Sequence, residues 1–249
     1  MRVVKIGGST LFRLVELWRS DGLSEVLRKA VVVHGGSRHV DALSERLGIR
    51  VERLTSPSGV TFRRTTREVL DVYVAAMMSA NRELVSFLQG RGFRAIGLSG
   101  LDRGLIVGRR KRMIKAVVNG KVVAIRDDYS GTIERVDVEA LREYMRLGLP
   151  VIASIAYDPV ENVPLNVDGD KVALHVALAL NARELRFVSD SAFIANGEVV
   201  GKLPLEEFDE FLPHAKGGMR KKLLMAKKAV ESGIGRVVIQ GLNGRTVVS

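Results

Sequence analysis

Six short runs of β-branched and apolar residues punctuate the chain: RVVKI at 2–6, AVVVHGG at 30–36, RAIGLSG at 94–100, PVIAS at 150–154, LRFVS at 185–189 and RVVIQG at 236–241. Amphipathic segments with helical spacing lie between them, so the pattern is a βαβ rhythm. Most of the runs are too evenly apolar for burial on one face only. That predicts an α/β fold, a three-layer αβα sandwich whose central sheet is mostly parallel and covered by helices on both sides. Glycines follow the runs at Gly7 and Gly8, Gly35 and Gly36, and Gly97 and Gly100. In such folds the loops after the strands' carboxyl ends build the ligand crevice, so these glycines mark where chemistry belongs.

Two segments break the rhythm. GRRKRMIKAVVNGKVVAIR at 108–126 reads as an inserted antiparallel hairpin, because Asn119-Gly120 between two β-rich runs is a strong type I′ turn signal. It carries seven Lys or Arg residues and no acid. YDPVENVPLNVDGD at 157–170 has two prolines and little periodicity, and the helical pattern KVALHVALALNA follows it. A boundary between an N-terminal lobe, 1–172, and a C-terminal lobe, 173–249, is expected there.

Composition narrows the function. The 249 residues, 46% hydrophobic, suffice for a real core. No apolar run approaches the roughly 18 residues of a membrane span, and MRVVKIGGST reads as a strand entering a glycine turn rather than a leader, so no membrane partner and a cytoplasmic location are expected. The absence of Cys excludes disulfides, thiolate metal sites and cysteine nucleophiles. With 39 Lys+Arg against 28 Asp+Glu, the formal charge of +11 points to an anionic substrate or partner: nucleotide, nucleic acid or acidic protein.

Neither GxxxxGK followed by Ser or Thr nor GxGxxG occurs, so the common phosphate fingerprints are absent. Four other elements stand in their place. KIGGS at 5–9 sets Lys5 at a strand end before a glycine pair and Ser9, a loop able to turn backbone N–H groups toward an anion or simply to end the strand. VVVHGGSRHVDAL repeats the design ahead of a helix, whose N-terminus offers a second anion site; His34 there is as readily structural as functional. NVDGDK at 166–171 spaces Asn166 and Asp170 four apart at a helix start, able to face one crevice, although Asp170 also suits a plain first-turn acid. KGGMRKKLLMAKKAV places Lys216, Arg220, Lys221, Lys222, Lys227 and Lys228 on one helix. Cations at a helix N-terminus are unfavourable unless an anion binds there, against the alternative of a solvated basic face.

Taken in register, KxGG, HGG, RAIGLSGLD, NxDGD and GGMxxK resemble the amino acid kinase family, and within it the acetylglutamate kinase group, over nearly the whole chain. The resemblance implies a carbamate kinase-like fold with about eight strands, the acyl acceptor and the dimer interface in the N-terminal lobe, and ATP in the C-terminal lobe. It implies transfer of the γ-phosphoryl group of MgATP to a side-chain carboxylate, with no protein side chain holding the Mg2+. By the matching motifs Lys5 would stabilise the transferring phosphoryl group, Lys222 the leaving side, and Asp170 would orient both lysines. Gly7, Gly8 and Ser9 would bind phosphate, Gly35 and Gly36 would bind the acceptor, and Ser189 and Asp190 would open the nucleotide loop. Arg64 of FRRTT would grip the acceptor's α-carboxylate end, with Asn166 helping.

Two departures concern the acceptor. His34-Gly35-Gly36-Ser37-Arg38 stands where the acetylglutamate kinases carry HGGGP, and Lys221 stands where they often have Pro. LTSPSGVTFRRTT, GLSGLDRGLIVGRRK and DDYSGTI are instead similar to the branch acting on aminoadipate or glutamate borne by the small acidic carrier protein LysW. That resemblance implies a place in lysine or arginine biosynthesis, with Arg109, Arg110, Lys111, Arg112 and Lys115 docking the carrier. The alternatives are a kinase of free N-acetylglutamate and a nonenzymatic RNA-binding or sensing module. Residues 108–126 contain no aromatic platform for single-stranded RNA, and Lys5, Asp170 and Lys222 are all present, which argues against the module.

Overall fold

The computed structural model describes residues 1–19 and 22–249. In chain order the first strands are β1 (Arg2–Ile6), β2 (Ala30–His34), β3 (Arg53–Thr55), β4 (Thr61–Arg63), β5 (Ala95–Leu98) and β6 (Ile106–Arg110). There follow β7 (Ile114–Val118), β8 (Lys121–Ile125), β9 (Gly131–Val136), β10 (Leu149–Ala153), β11 (Ile155–Asp158) and β12 (Val163–Asn166). The last are β13 (Glu184–Val188), β14 (Ile194–Ala195), β15 (Glu198–Val199), β16 (Lys202–Leu203), β17 (Arg236–Gly241) and β18 (Gly244–Val248). The α-helices are α1 (Leu14–Arg19), α2 (Leu23–Leu27), α3 (Ser37–Arg46), α4 (Arg67–Gln89), α5 (Val138–Leu147), α6 (Gly169–Ala179), α7 (Phe208–Phe211) and α8 (Gly217–Glu231).

All six apolar runs become strands of one eight-stranded sheet of order β16-β18-β17-β13-β1-β2-β10-β5. Every pairing within it is parallel except β17 with β18. The alternation of side chains explains the three layers. In β1, Val4 and Ile6 pack with Leu27 of α2 and Leu84 and Leu88 of α4, whereas Val3 packs into the opposite layer with Leu141, Val172 and Leu223 of α5, α6 and α8. Lys5 shares the face of Val3, so the strand's period of two sends its amine toward α6.

Outside the central sheet, β12-β11-β6-β9 and β4-β3-β7-β8 form two four-stranded sheets, and β14 and β15 pair as a small hairpin. The turn between β7 and β8 has Asn119 at φ 50° and Gly120 at φ 74°, the two positive angles a type I′ turn demands. The hairpin is shorter than its sequence suggested, however: Gly108–Arg110 are the end of β6 and belong to a different sheet. YDPVENVPLN also proves more ordered than its composition implied, since β11 and β12 pair there through Tyr157↔Pro164 and Asp158↔Val163. Pro164 is tolerated because β12 is an edge strand. The position chosen for the lobe boundary, between 172 and 173, falls inside α6, and the central sheet runs on across it through the pairing of β1 with β13. Among the described residues no helix is long and apolar enough to cross a membrane.

Candidate active site

The crevice lies over the carboxyl ends of β1, β2 and β13, where α3 and α6 begin. Lys5 Nζ meets Asp170 Oδ1 at 2.7 Å, with side chains only 10% and 8% exposed. Gly169 permits this approach, because a Cβ there would sit 3.3 Å from Lys5 Cε. Burial works to raise the Asp170 carboxyl, but Lys5 and Lys222 overrule it and hold the group below the usual carboxylate range. Lys222 is depressed from the ordinary lysine value by burial and by Lys5 and Lys221, with Asp170 opposing. Its amine lies over the start of α8, where a Cβ on Gly218 would be 3.9 Å away. The sequence thus placed Lys5, Asp170 and Lys222 in one group, and the fold assembles them.

A second pair stands beside the first. Asp168 caps α6 by accepting from the N–H groups of Asp170 at 2.8 Å and Lys171 at 3.3 Å, and its other oxygen holds Lys221. Burial works to lower Lys221, but Asp168 outweighs it and raises the amine's pKa. Asp168 was legible as a helix cap in NVDGD; its bond to Lys221 was not.

The glycine loops form a cradle. Gly7 N–H donates to Val188 O at 3.1 Å and Gly35 N–H to Ile6 O at 3.1 Å, which pins each loop to the neighbouring strand. A Cβ on Gly8 would lie 2.8 Å from Ser37 N and 3.1 Å from Gly36 N, and one on Gly35 would lie 3.9 Å from Lys5 Nζ. Only glycine allows this convergence of backbone nitrogens beside an amine, a concave arrangement suited to an anion. Neither α3 nor α8 has a side-chain cap or an acid in its first turn, so no carboxylate competes at either N-terminus. Ser9 Oγ donates to Asp190 Oδ2 at 2.8 Å, and Ser189 N–H donates to Gln240 O at 2.8 Å. Both residues therefore lie where β13 ends, against the first glycine loop.

His34 lies under this cradle, fully buried. Nδ1 is 3.0 Å from Gly35 O and Nε2 is 3.0 Å from Asn81 Nδ2, so the neutral Nδ1–H tautomer donates to Gly35 and accepts from Asn81. Burial lowers its pKa to about 4, with His39 and Lys5 adding to the effect and the Gly35 bond opposing. The ring is structural, which settles the ambiguity of the HGG motif.

The opposite wall is built on Thr65 and Asp128, both fully buried. Asn166 Nδ2 donates to Thr65 Oγ1 at 2.8 Å, while Asp128 accepts from the N–H groups of Thr65 and Ser130 at 2.8 and 2.7 Å. Asn166 is where the sequence placed it. Arg64 is not: its guanidinium turns away to Glu52 at 2.8 Å and to both oxygens of Asp127 at 2.8 and 2.9 Å. Its neighbour Arg63 faces inward, 8% exposed, donating to Ser37 Oγ at 2.9 Å beside the Gly36 loop and to Asp41 at 2.7 Å. β4 ends at Arg63, so strand alternation decides which of the two arginines points in.

The basic segment loses much of its free charge on folding. Arg109 pairs with Glu134 at 3.3 Å and Asp158 at 3.6 Å. Arg110 pairs with Glu161 at 2.9 Å, donates to Asp128 O at 2.8 Å and lies 3.8 Å from the Tyr129 ring centroid. These two arginines brace β6 and the wall of Thr65 and Asp128, Arg109 staying 41% exposed and Arg110 largely covered. Arg112 reaches Glu161 at 3.4 Å but stays 78% exposed. Lys111 is half-buried, and burial and Lys171 depress it against the pull of Asp128 and Asp168, which sets it at the crevice edge. Lys115 alone among the five stands on the hairpin's open face, with Val117, Val122 and Ala124.

Ammonium groups and bare backbone N–H groups gathered at the carboxyl ends of an open α/β sheet form the kind of crevice that phosphotransferases use. A model of the amino acid kinase family matches residues 1–241, and the chain belongs to that family. A Pyrococcus furiosus relative, provisionally named LysW-aminoadipate/LysW-glutamate kinase, is 66% identical over 248 residues, with 100% of each chain covered. The LysW-aminoadipate/LysW-glutamate kinase of Saccharolobus islandicus is 37% identical over 253 residues, covering 100% of this chain and 96% of that one. Among solved structures, the Streptococcus mutans protein smu.665 superposes with a TM-score of 0.77 at 21% identity, covering 100% of this chain and 98% of that one. The Giardia carbamate kinase gives 0.63 at 12% identity, covering 99% and 97%. These two likenesses establish the fold.

Proposed function

We propose that this chain transfers the γ-phosphoryl group of ATP to the side-chain carboxylate of aminoadipate or glutamate carried on an acidic LysW protein, giving an acyl phosphate and ADP. The observation that carries the reaction is Asp170 set between Lys5 and Lys222 beside the paired glycine loops. The names of the full-length relatives carry the choice of acceptor.

A carboxylate oxygen of the acceptor forms the new P–O bond while the bond from the γ-phosphorus to the bridging oxygen breaks, and the electron pair leaves with ADP. No proton needs to move, so the protein supplies alignment and charge. Lys5 faces the transferring group, and Lys222 and the first turn of α8 face the leaving phosphates. Asp170 sits between the two amines and favours the charged form of Lys222. The N–H groups of Gly8, Gly36 and Ser37 cradle phosphate oxygens. Ser9, Ser189 and Asp190 border the nucleotide. Among the described residues no group of three or more His, Asp or Glu could hold a metal, and Asp170 is committed to Lys5. Mg2+ would therefore enter on the nucleotide's own phosphates, where it shields their charge.

For the acceptor, Arg63 replaces Arg64 as the guanidinium that meets a carboxylate, with Asn166 and Thr65 beside it. The carrier docks on the open face of β7 and β8, where Lys115 stands beside the paired Val117 and Val122, with Lys111 at the crevice edge and Arg112 on the rim. An exposed apolar pair rimmed by cations suits an acidic protein surface. The chain works as a cytoplasmic homodimer, with residues 1–172 serving the acceptor and 173–249 the nucleotide. Hydroxamate trapping of the acyl phosphate tests this reading. Carrier-linked glutamate or aminoadipate should turn over at least about a hundredfold faster than free N-acetylglutamate, a gap on the order of 3 kcal/mol; equal turnover of the free amino acid would refute it.

A further inference from the structure

A cavity of about 730 Å³ opens on the side of the sheet opposite the crevice. Met1, Ala30 and Leu149, at the amino ends of β1, β2 and β10, line it. Five strand residues at about 3.3 Å each put roughly 15 Å of sheet between it and Lys5's end of β1. Its volume lies within the range of small-molecule sites.

Two features of the lining point to one ligand chemistry. Four cationic residues line the cavity, Arg28, Lys29, Arg91 and Arg94, and among the described residues no acid does. Arg28, Lys29 and Arg94 have no carboxylate partner among the described residues. Arg91 lies 3.5 Å from the ring centroid of Phe87 and 5.2 Å from that of Trp18, and its buried Nε has no hydrogen-bond partner. The floor is aromatic. Trp18 meets Phe93 and Phe87 edge-on, each at 5.8 Å between centroids, and Trp18 and Phe93 both line the cavity. Like charges gathered without counter-charge repel one another, and an anion relieves that repulsion. Several cations ask for several negative charges, and an aromatic floor asks for a flat ring over it. The same charges would repel a basic amino acid.

We propose that this cavity is a second, noncatalytic nucleotide site, with phosphates on Arg28, Lys29 and Arg94 and the base against Trp18 and Phe93. Trp18 is the chain's single tryptophan, so its fluorescence reports on the cavity alone. The intact protein is titrated at constant ionic strength with ATP, GTP and UTP and, separately, with pyrophosphate, and calorimetry runs alongside. At least one nucleotide should change Trp18 emission saturably. The signal should survive Lys222→Ala, which separates this site from phosphotransfer. Arg28→Ser with Arg94→Ser should weaken it at least about tenfold, with the far-ultraviolet circular dichroism unchanged. Pyrophosphate binding as tightly as every nucleotide would overturn the base contact. The absence of both a Trp18 change and a binding heat outside the crevice, or undiminished affinity in the folded double variant, would overturn the site.

Discussion

Acid should weaken this protein through one residue beneath the cradle. His34 is neutral because burial lowers its pKa from 6.5 to about 4, and because a proton on Nε2 would face the Asn81 amide donor 3.0 Å away. In the unfolded chain the ring titrates at its ordinary value, so between those two pH values the unfolded state binds the extra proton. A folded pKa below the unfolded one means that the contribution is fully present above about pH 6.5 and is lost as pH falls toward 4. The difference of about 2.5 units, at about 1.36 kcal/mol each, amounts to about 3 kcal/mol. Urea unfolding of the wild type and of His34→Gln from pH 7.5 to pH 4 measures it. The depressed carboxyls Asp158, Asp170 and Glu184 titrate in both proteins and cancel in the difference. The stability advantage of the wild type over His34→Gln should shrink by about 3 kcal/mol on going down through that window. A gap that stays constant within about 1 kcal/mol would refute the assignment of a neutral, donor-paired ring.

Removing Lys5 or Lys222 to Ala should cost roughly 3 kcal/mol of transition-state stabilisation, about a hundredfold in kcat, as for one preorganised donor; single-turnover rates that fall less than about threefold would contradict the assignment. Arg63→Lys should raise the acceptor KM by about tenfold or more, because a lysine cannot reproduce bidentate carboxylate recognition, while Arg64→Lys leaves it within about twofold; steady-state kinetics with both variants decides between the neighbours. Lys115→Glu with Arg112→Glu should raise KM for carrier-linked acceptor, leave KM for ATP unchanged and flatten the salt dependence; a salt dependence equal to wild type would move the docking face elsewhere. Because burial, Lys5 and Lys221 depress Lys222, kcat/KM for ATP should fall on the alkaline side below the ordinary lysine range. Lys221→Met should shift that limb upward, and an unmoved limb would show that a different group titrates.

What the sequence revealed and what it withheld follow from locality. Lys5 was legible because strand periodicity fixes its face, and Asp170 because a helix cap two residues earlier fixes the first turn of α6. The six apolar runs were legible because burial on both faces leaves no alternation to misread. The Asp168–Lys221 bond joins residues 53 positions apart, and nothing local to either announces it. The arginine doublet at 63 and 64 shows two identical side chains whose opposite directions depend on where β4 ends. The pairing within the basic segment was hidden for a related reason: the acids that meet Arg109 and Arg110, namely Glu134, Asp158 and Glu161, come from β9, β11 and the turn beyond, which only the second sheet brings alongside.

The charges of the crevice do not pair off one to one. Lys5, Lys221 and Lys222 bring three positive charges, Asp168 and Asp170 bring two negative ones beside them, and Asp190, bonded to Ser9, acts more weakly on Lys222. Asp168 is taken up by Lys221 and by the N-terminus of α6, so Asp170 must serve both remaining lysines. It makes direct contact with Lys5 and acts on Lys222 through space, which leaves Lys222 partly desolvated, depressed and without an ion pair of its own among the described residues. That imbalance is costly by itself, and on the proposed reading the phosphates of the nucleotide relieve it by supplying the missing counter-charge to a partly desolvated amine. It also predicts that Asp170→Asn, an amide of the same shape, should not substitute for the carboxylate. With Asp170 neutral, Lys5 would lose its ion pair and Lys222 its strongest opposing charge, and repulsion among the ammonium groups would favour loss of a proton from the most desolvated amine. In the proposed reaction Asp170 therefore positions the two lysines and, by its charge, favours the cationic form of Lys222.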